Sequence, residues 1–382
     1  MIVTKGCGVV LSVLLLAGCG VGSAVAEGPV SSEQATFELV TVARGLDHPW
    51  GMAFLPDGGV LITERSGQLR LLRDGALDPN PIAGVPEVVA RGQGGLLDVA
   101  LHPDFADTGW VYLSYAAPGA NGAATEVARA RLGDHALEDL EVIFRAVPDI
   151  SSSHHFGSRL VFDREGFLYV TAGERGRGEL AQDLARHPGS VLRLQDDGGV
   201  PQDNPFVGQA GARPEIYSFG HRNPQGMAVH PETGAIWTQE HGARGGDEVN
   251  IVRAGANYGW PVITHGIDYS GAPIGEGTHK EGMEQPVYYW VPSIAPSGMA
   301  FYTGDAFPEW QGDLFVGALR DELLARLELD GEEVIGEERL LEGAIGRIRD
   351  VEMGPDGFLY LLTDESDGGL YRLEPAAGRD PA

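Results

Sequence analysis

Leu55-Pro56-Asp57-Gly58 runs into Val60-Leu61-Ile62-Thr63-Glu64, a tight turn followed by a short apolar run, and the pairing recurs down the chain. His102-Pro103-Asp104 precedes Trp110-Val111-Tyr112-Leu113-Ser114, and Asp163-Arg164-Glu165-Gly166 precedes Phe167-Leu168-Tyr169-Val170-Thr171. His230-Pro231-Glu232-Thr233-Gly234 leads into Ala235-Ile236-Trp237-Thr238, and Pro355-Asp356-Gly357 into Phe358-Leu359-Tyr360-Leu361-Leu362. Trp310-Gln311-Gly312-Asp313 before Leu314-Phe315-Val316-Gly317 is a weaker copy. Pro presets a turn dihedral, Asp bonds backbone two residues on, and Gly accepts positive φ, so each cluster is a turn with a mechanism. A short apolar run bounded by such turns reads as a buried strand. Six copies over about 345 residues allot roughly 58 to each, which suits a four-stranded blade with long loops. The expectation is an all-β chain: a six-bladed β-propeller with four-stranded blades and a central active-site channel. The first strand, near Phe37-Glu38-Leu39-Val40, is expected to complete the last blade near Leu370-Tyr371-Arg372-Leu373, which removes exposed edges. A large β-sandwich or two β domains is the alternative.

Composition agrees with a turn-rich globular chain. Of 382 residues, 56 are Gly and 24 Pro, without a collagen-like period, and 43% are hydrophobic. Formal net charge is −28, and Lys5 and Lys280 are the only lysines. A nucleic-acid binder must bring cations to phosphates, so no nucleic-acid partner is expected.

Residues 1–18 read as an export signal, with one cation, Lys5, ahead of the apolar run Val9–Leu16. Leu16-Ala17-Gly18-Cys19 has the form of a bacterial lipoprotein cleavage site, and Ala24-Val25-Ala26 offers an alternative cleavage after residue 26. The lipoprotein reading makes Cys19 the lipidated first residue and the sole contact with a membrane. The expected location is periplasmic or outer-membrane-anchored, or secreted if cleavage follows residue 26. Residues 19–36 read as a tether and 37–382 as the propeller. Cys7 and Cys19 are the only cysteines, so the propeller is expected to hold no disulfide, Cys metal site or Cys nucleophile.

Candidate chemistry lies between the repeat strands. Ser151-Ser152-Ser153-His154-His155-Phe156-Gly157-Ser158-Arg159 puts two histidines at a loop-to-strand junction, where either can serve as base, metal ligand or solvated loop residue. Chemistry alone does not rank His154 against His155. Gly220-His221-Arg222-Asn223-Pro224-Gln225-Gly226 sets a guanidinium beside two carboxamides, a set able to grip a planar acid or carbonyl, or else to satisfy its own turn. Glu240-His241-Gly242-Ala243-Arg244-Gly245-Gly246-Asp247-Glu248 mixes acids with glycines, as loops binding hard cations do, without the EF-hand spacing. Arg347 and Arg349 would share a strand face and need an anion, either an internal carboxylate or a ligand. Gln93, in a Gly-rich turn, says little alone. Nucleophile-elbow, Walker A, zincin and dinucleotide-binding motifs are absent.

In order along the chain, these segments resemble the soluble pyrroloquinoline quinone (PQQ) dehydrogenases, the aldose sugar and soluble glucose dehydrogenase family. The resemblance is carried by Gly45-Leu46-Asp47-His48-Pro49-Trp50-Gly51, Gly92-Gln93-Gly94-Gly95-Leu96-Leu97 with His102-Pro103-Asp104-Phe105, and His155-Phe156-Gly157-Ser158-Arg159-Leu160. Gly220 to Gly226, Asn257-Tyr258-Gly259-Trp260-Pro261 and Arg347-Ile348-Arg349-Asp350-Val351 continue it. It spans about Gly45 to Leu373 and leans to the aldose sugar branch. It implies a six-bladed propeller that oxidises aldoses at C1 to lactones by hydride transfer to PQQ, then passes electrons to an external quinone or cytochrome acceptor. It implies His155 as general base, Arg222 as the residue polarising the quinone carbonyl with Asn223 beside it, and Gln93 as a site residue near the base. Arg347 and Arg349 match the binders of the cofactor's carboxylates. Gly242 and Ala243 match carbonyl ligands of a Ca2+ beside PQQ, and Glu248 and Tyr258 a second, structural Ca2+ site. Arg320 replaces a cofactor-binding Lys of the family, keeping charge but not hydrogen-bond geometry. Glu174 stands where the glucose enzymes have Asp. A monomer or homodimer is expected. Two other readings remain open: a non-catalytic propeller binding module, and a Ca2+-dependent sugar lactone hydrolase.

Overall fold

A computed structural model of the chain describes residues 28–376. Six antiparallel sheets form, and each of the six turns quoted above joins the first and second strands of one blade. The first strands are Pro49–Phe54, Leu96–Leu101, Leu160–Phe162, Pro224–Val229, Pro296–Phe301 and Ile348–Met353. Neighbouring first strands touch all the way round, the last against the first, closing a ring. The second strands Val60–Glu64, Leu168–Ala172, Ile236–Glu240, Leu314–Ala318 and Leu359–Thr363 are buried along their whole length. That is why they read as continuous apolar runs: both faces of each sheet are covered by a neighbouring blade. The six-bladed propeller expected from the sequence is the fold observed.

Each seam between blades holds its own apolar cluster. Leu61 and Leu71 meet Val99 and Val111 between blades one and two. Trp237 and Val249 meet Met299 and Val316 between four and five. Between six and one, Leu362 and Leu370 pack on Met52 and Ile62.

Closure comes from the two ends of the chain. Strand Thr36–Leu46 pairs antiparallel with Gly368–Pro375, with Leu39 opposite Leu373 and Val40 opposite Arg372. Phe37 anchors this strand against Phe307 and Trp310, with ring centroids 6.4 and 5.7 Å away. Val30 and Ser31, in the stretch read as tether, pair with Phe37 and Thr36, so this blade carries a fifth, two-residue strand. The signal, both cleavage sites, Cys7 and Cys19 lie outside the described residues. No helix among the described residues is long and apolar enough to cross a membrane.

All six turns sit at one end of the ring. The opposite end, where first strands begin and second strands finish, collects Trp50 at the start of its strand and the loops carrying Gln93, His155, Arg222, Ala295 and Arg347. The geometry of antiparallel blades thus brings residues almost 300 positions apart to one place.

Candidate active site

At that end a cavity of about 450 Å³ opens. Its walls are His48, Trp50, Arg65, Gln93, Gln225, His241, Ala295, Leu319, Arg347, Arg349, Asp364 and Glu365. All blades but the third contribute to it directly. Three guanidiniums face two carboxylates, a cationic site in a chain of net charge −28.

Arg347 and Arg349 both reach the cavity, and their anion is in part internal. Asp364, at the end of a second strand, takes Arg349 Nη2 at 2.6 Å and His48 Nδ1 at 2.9 Å, with Arg65 and Arg347 at 3.5 and 3.6 Å. Burial alone would raise the Asp364 carboxyl, but Arg349 and Arg65 hold it well below the usual carboxylate range. Three guanidiniums against Asp364 and Glu365 leave one net positive charge in the wall for a further anion. Arg349 also donates to Gln225 Oε1 at 2.8 Å, while its buried Nε has no partner. Arg347 donates to the Leu319 carbonyl at 3.0 Å. Trp50 packs beside Arg349 and is stacked by Arg159, whose guanidinium ties Asp98 of blade two to Asp350 of blade six.

His155 stands beside the cavity on the loop into blade three. Its backbone N–H donates to Gln93 Oε1 at 2.7 Å, so Gln93 links base and cavity wall. Its Nδ1 lies 2.5 Å from Glu174 Oε2. The carboxylate partner makes Nδ1 the protonated nitrogen and leaves Nε2 free to accept a proton. Burial lowers the His155 pKa, and Glu174 offsets this only in part, so the ring is neutral at pH 7. His154 is exposed. The chain comes close enough here that Gly173 is required: a Cβ there would lie 2.3 Å from the His155 carbonyl oxygen.

Arg222 and Asn223 are buried behind the wall. Arg222 Nη1 donates to the His241 carbonyl at 3.1 Å, its guanidinium lies 5.2 Å from the Trp260 ring, and its Nε is unpartnered. Asn223 Oδ1 accepts from Gly157 N–H at 3.2 Å, bracing the base loop, while its Nδ2 is free. Arg320 is not part of this assembly. It is bound to the Ser293 carbonyl at 2.6 Å and to Asp321 at 3.0 Å, and its side chain is 58% exposed. The neighbouring Leu319, not Arg320, lines the cavity.

Gly242 and Ala243 follow His241 in a tight loop. Gly242 N–H donates to Asp247 Oδ1 at 2.8 Å, and a Cβ on Gly242 would meet the Gly245 carbonyl at 2.1 Å. Glu248 faces Glu240 across the strand pair, and burial together with Glu240 pushes its carboxyl up to about 8. The Tyr258 hydroxyl is already used, donating to Ile251 and accepting from Arg253 N–H, so a ligand role there falls to its carbonyl. Among the described residues, no group of three or more His, Cys, Asp or Glu side chains is placed to hold a metal. A cation in these loops would draw on backbone oxygens, with the facing carboxylates of Glu240 and Glu248 as the side-chain pair beside them.

Sequence reading passed over Asp364, gave His241 no role of its own within the cation-loop segment, and placed Gln225 only as a carboxamide beside Arg222. His241 donates from Nε2 to the Pro296 carbonyl, and burial, with Arg222 nearby, drops its pKa to about 3. It is a neutral imidazole in the cavity wall.

Comparison with known proteins decides the family. Residues 46–372 match the Glucose / Sorbosone dehydrogenase family. The chain belongs to that family. It is 50% identical over 347 residues to the aldose sugar dehydrogenase YliI of Escherichia coli, covering 89% of this chain and 94% of the relative. A crystal structure of a glucose dehydrogenase superposes with a TM-score of 0.86 at 53% identity, covering 90% of this chain and 99% of the other. The PQQ-bound form of an aldose sugar dehydrogenase from Streptomyces coelicolor superposes with a TM-score of 0.73 at 31% identity, covering 89% and 98%. The membership makes this protein an oxidoreductase.

Proposed function

We propose that this oxidoreductase is a PQQ- and Ca2+-dependent dehydrogenase that oxidises aldoses at C1 to lactones. The observation that carries the reading is the meeting of an oriented neutral imidazole, His155 on Glu174, with a cavity walled by Arg65, Arg347 and Arg349. A planar tricarboxylate fits that wall: the guanidiniums outnumber their internal acids, and buried Nε atoms of Arg222 and Arg349 lack partners. PQQ, when bound, supplies an electron-accepting quinone and Ca2+ a Lewis acid beside it. Arg347, Arg349, Arg222 and Asn223 would hold the cofactor, and the Gly242–Ala243 loop would hold Ca2+ through its carbonyls. Arg320 would reach the cofactor only by leaving Asp321.

His155 Nε2 takes the proton of the sugar's C1 hydroxyl as the C1 hydrogen departs with two electrons, leaving a lactone carbonyl. Glu174 keeps the proton-accepting nitrogen toward the substrate and stabilises the imidazolium formed. Gln93 fixes the loop through the His155 amide. The electrons then pass to an external quinone or cytochrome acceptor. The N-terminal signal supports export, with anchoring through lipid on Cys19.

A lactone hydrolase would need a side-chain carboxylate cage, and among the described residues none is formed. The test is His155→Ala. Sugar oxidation should collapse by about a hundredfold or more while PQQ binding survives. Full activity in this variant would remove His155 from the base role.

A further inference from the structure

The loop carrying His155 is held in a conformation that L-residues seldom take: φ is 54° at His155 and 81° at Ser158, with Gly157 at 64° between them. Such a conformation persists only where the surroundings over-determine it. Gln93 and Asn223 hold the loop at the His155 and Gly157 amides, and Arg175, which immediately follows Glu174, holds its carbonyls. Its Nε donates to the His154 carbonyl at 2.8 Å, its Nη1 to the Ala123 carbonyl at 2.8 Å, and its Nη2 to the Ser152 carbonyl. Its guanidinium lies flat against Phe156, 3.5 Å from the ring centroid. The side chain therefore touches the residues three before, one before and one after His155, and ties them to the hairpin of blade two.

Arg175 is 3% exposed, and no carboxylate lies within 4.0 Å of its guanidinium among the described residues. Burial lowers its pKa to about 10, so it stays charged at neutral pH. Burying a cation without a counter-ion is expensive, and an apolar residue would serve packing better. The five fixed N–H donors of a guanidinium suit one task here, gathering several carbonyls of a bent loop.

We propose that Arg175 is the positioning residue of the base: it holds the 152–156 loop so that His155 Nε2 meets the C1 hydroxyl, while the adjacent Glu174 orients the ring. This rests on the reading of His155 as base. One turn thus controls both the backbone and the imidazole of the same residue.

Arg175→Gly tests this, because Arg175 sits at φ 64°, which Gly adopts freely, so the change removes the side chain without straining the turn. In the holoenzyme, kcat for an aldose should fall by about thirtyfold or more, since misplacing a reacting group by an ångström costs on the order of a hundredfold. Sugar KM and the PQQ titration should stay within about threefold of wild type, and added methylguanidinium should restore at least a tenth of the lost kcat. Arg175→Lys, which keeps the cation but not the fork, should lie between, and decides the matter if the glycine variant does not fold. A kcat within about twofold of wild type in either soluble variant overturns the proposal. Hydrogen exchange of amides 152–158 separates this from the functional reading. Exchange should accelerate in Arg175→Gly and slow again with methylguanidinium even if wild type oxidises no aldose; unchanged exchange overturns the positioning role.

Discussion

His155 Nδ1 and Glu174 Oε2 are 2.5 Å apart, although one residue enters a first strand and the other leaves the second strand of the same blade. The strand hairpin between them carries both to the cavity end and fixes which imidazole nitrogen is free. The relationship has a signed consequence for pH. Glu174 raises the His155 pKa against the larger lowering by burial. Glu174→Gln removes that contribution, so the acidic limb of kcat/KM should move to lower pH. The maximum should drop by roughly tenfold to a hundredfold, because the imidazolium loses its anion. A pH–rate profile checks both effects; a limb moving upward contradicts the assigned pair.

Asp364 supplies a prediction about stability. Its folded carboxyl is held below the unfolded value by Arg349 and Arg65, so its contribution is present above about pH 4 and is lost as pH falls through the folded value. Asp364→Asn leaves Arg349 buried without its anion and should cost about 3 kcal/mol in the cofactor-free protein. Urea unfolding of both proteins should show the gap from pH 5 to 8 and its closure only in stronger acid.

Calcium should act through the loops that follow blade four's second strand. Glu248 is half-buried opposite the buried Glu240, and a cation there relieves the repulsion between them. Saturating Ca2+ should raise the melting temperature, by about 2.7 kcal/mol of stabilisation at a hundredfold excess over Kd. A chelator should reverse the shift, and Glu248→Gln should shrink it. Equal shifts in both proteins would place the cation elsewhere.

Ring closure depends on Phe37. It is fully buried between Phe307 and Trp310, and Phe37→Ala should cost about 3–5 kcal/mol. Denaturant unfolding measures this directly. A loss below about 1 kcal/mol would mean that the first strand adds little to the last blade.

The fold was legible because its signal is local and repeated. The turn chemistry at Pro56-Asp57-Gly58 or Pro355-Asp356-Gly357 marks one junction in each blade, and the apolar run after it is the strand that neighbouring blades cover. Closure of the last blade by the first strand also followed, since a ring must close somewhere; the register that sets Leu39 opposite Leu373 comes from the structure. Motif resemblance singled out His155, Gln93, Arg347 and Arg349, and the ring brings these four to the same end of the propeller. Asp364 was not singled out. In Thr363-Asp364-Glu365-Ser366-Asp367 it looks like a solvated acidic turn, and only ring topology brings it to Arg349. His241 was hidden likewise, among acids and glycines that suggested a cation loop. Arg320 shows the converse: charge type matched the family, but Asp321 and the Ser293 carbonyl hold it at the surface.

The most direct measurement is reconstitution. Protein beginning near Glu27 and prepared without PQQ is titrated with PQQ in the presence and absence of Ca2+, and dye reduction is followed with a panel of aldoses. The account predicts saturable activity that requires both PQQ and Ca2+. Failure to bind PQQ, with the propeller intact, would contradict it and leave a binding module on a dehydrogenase scaffold.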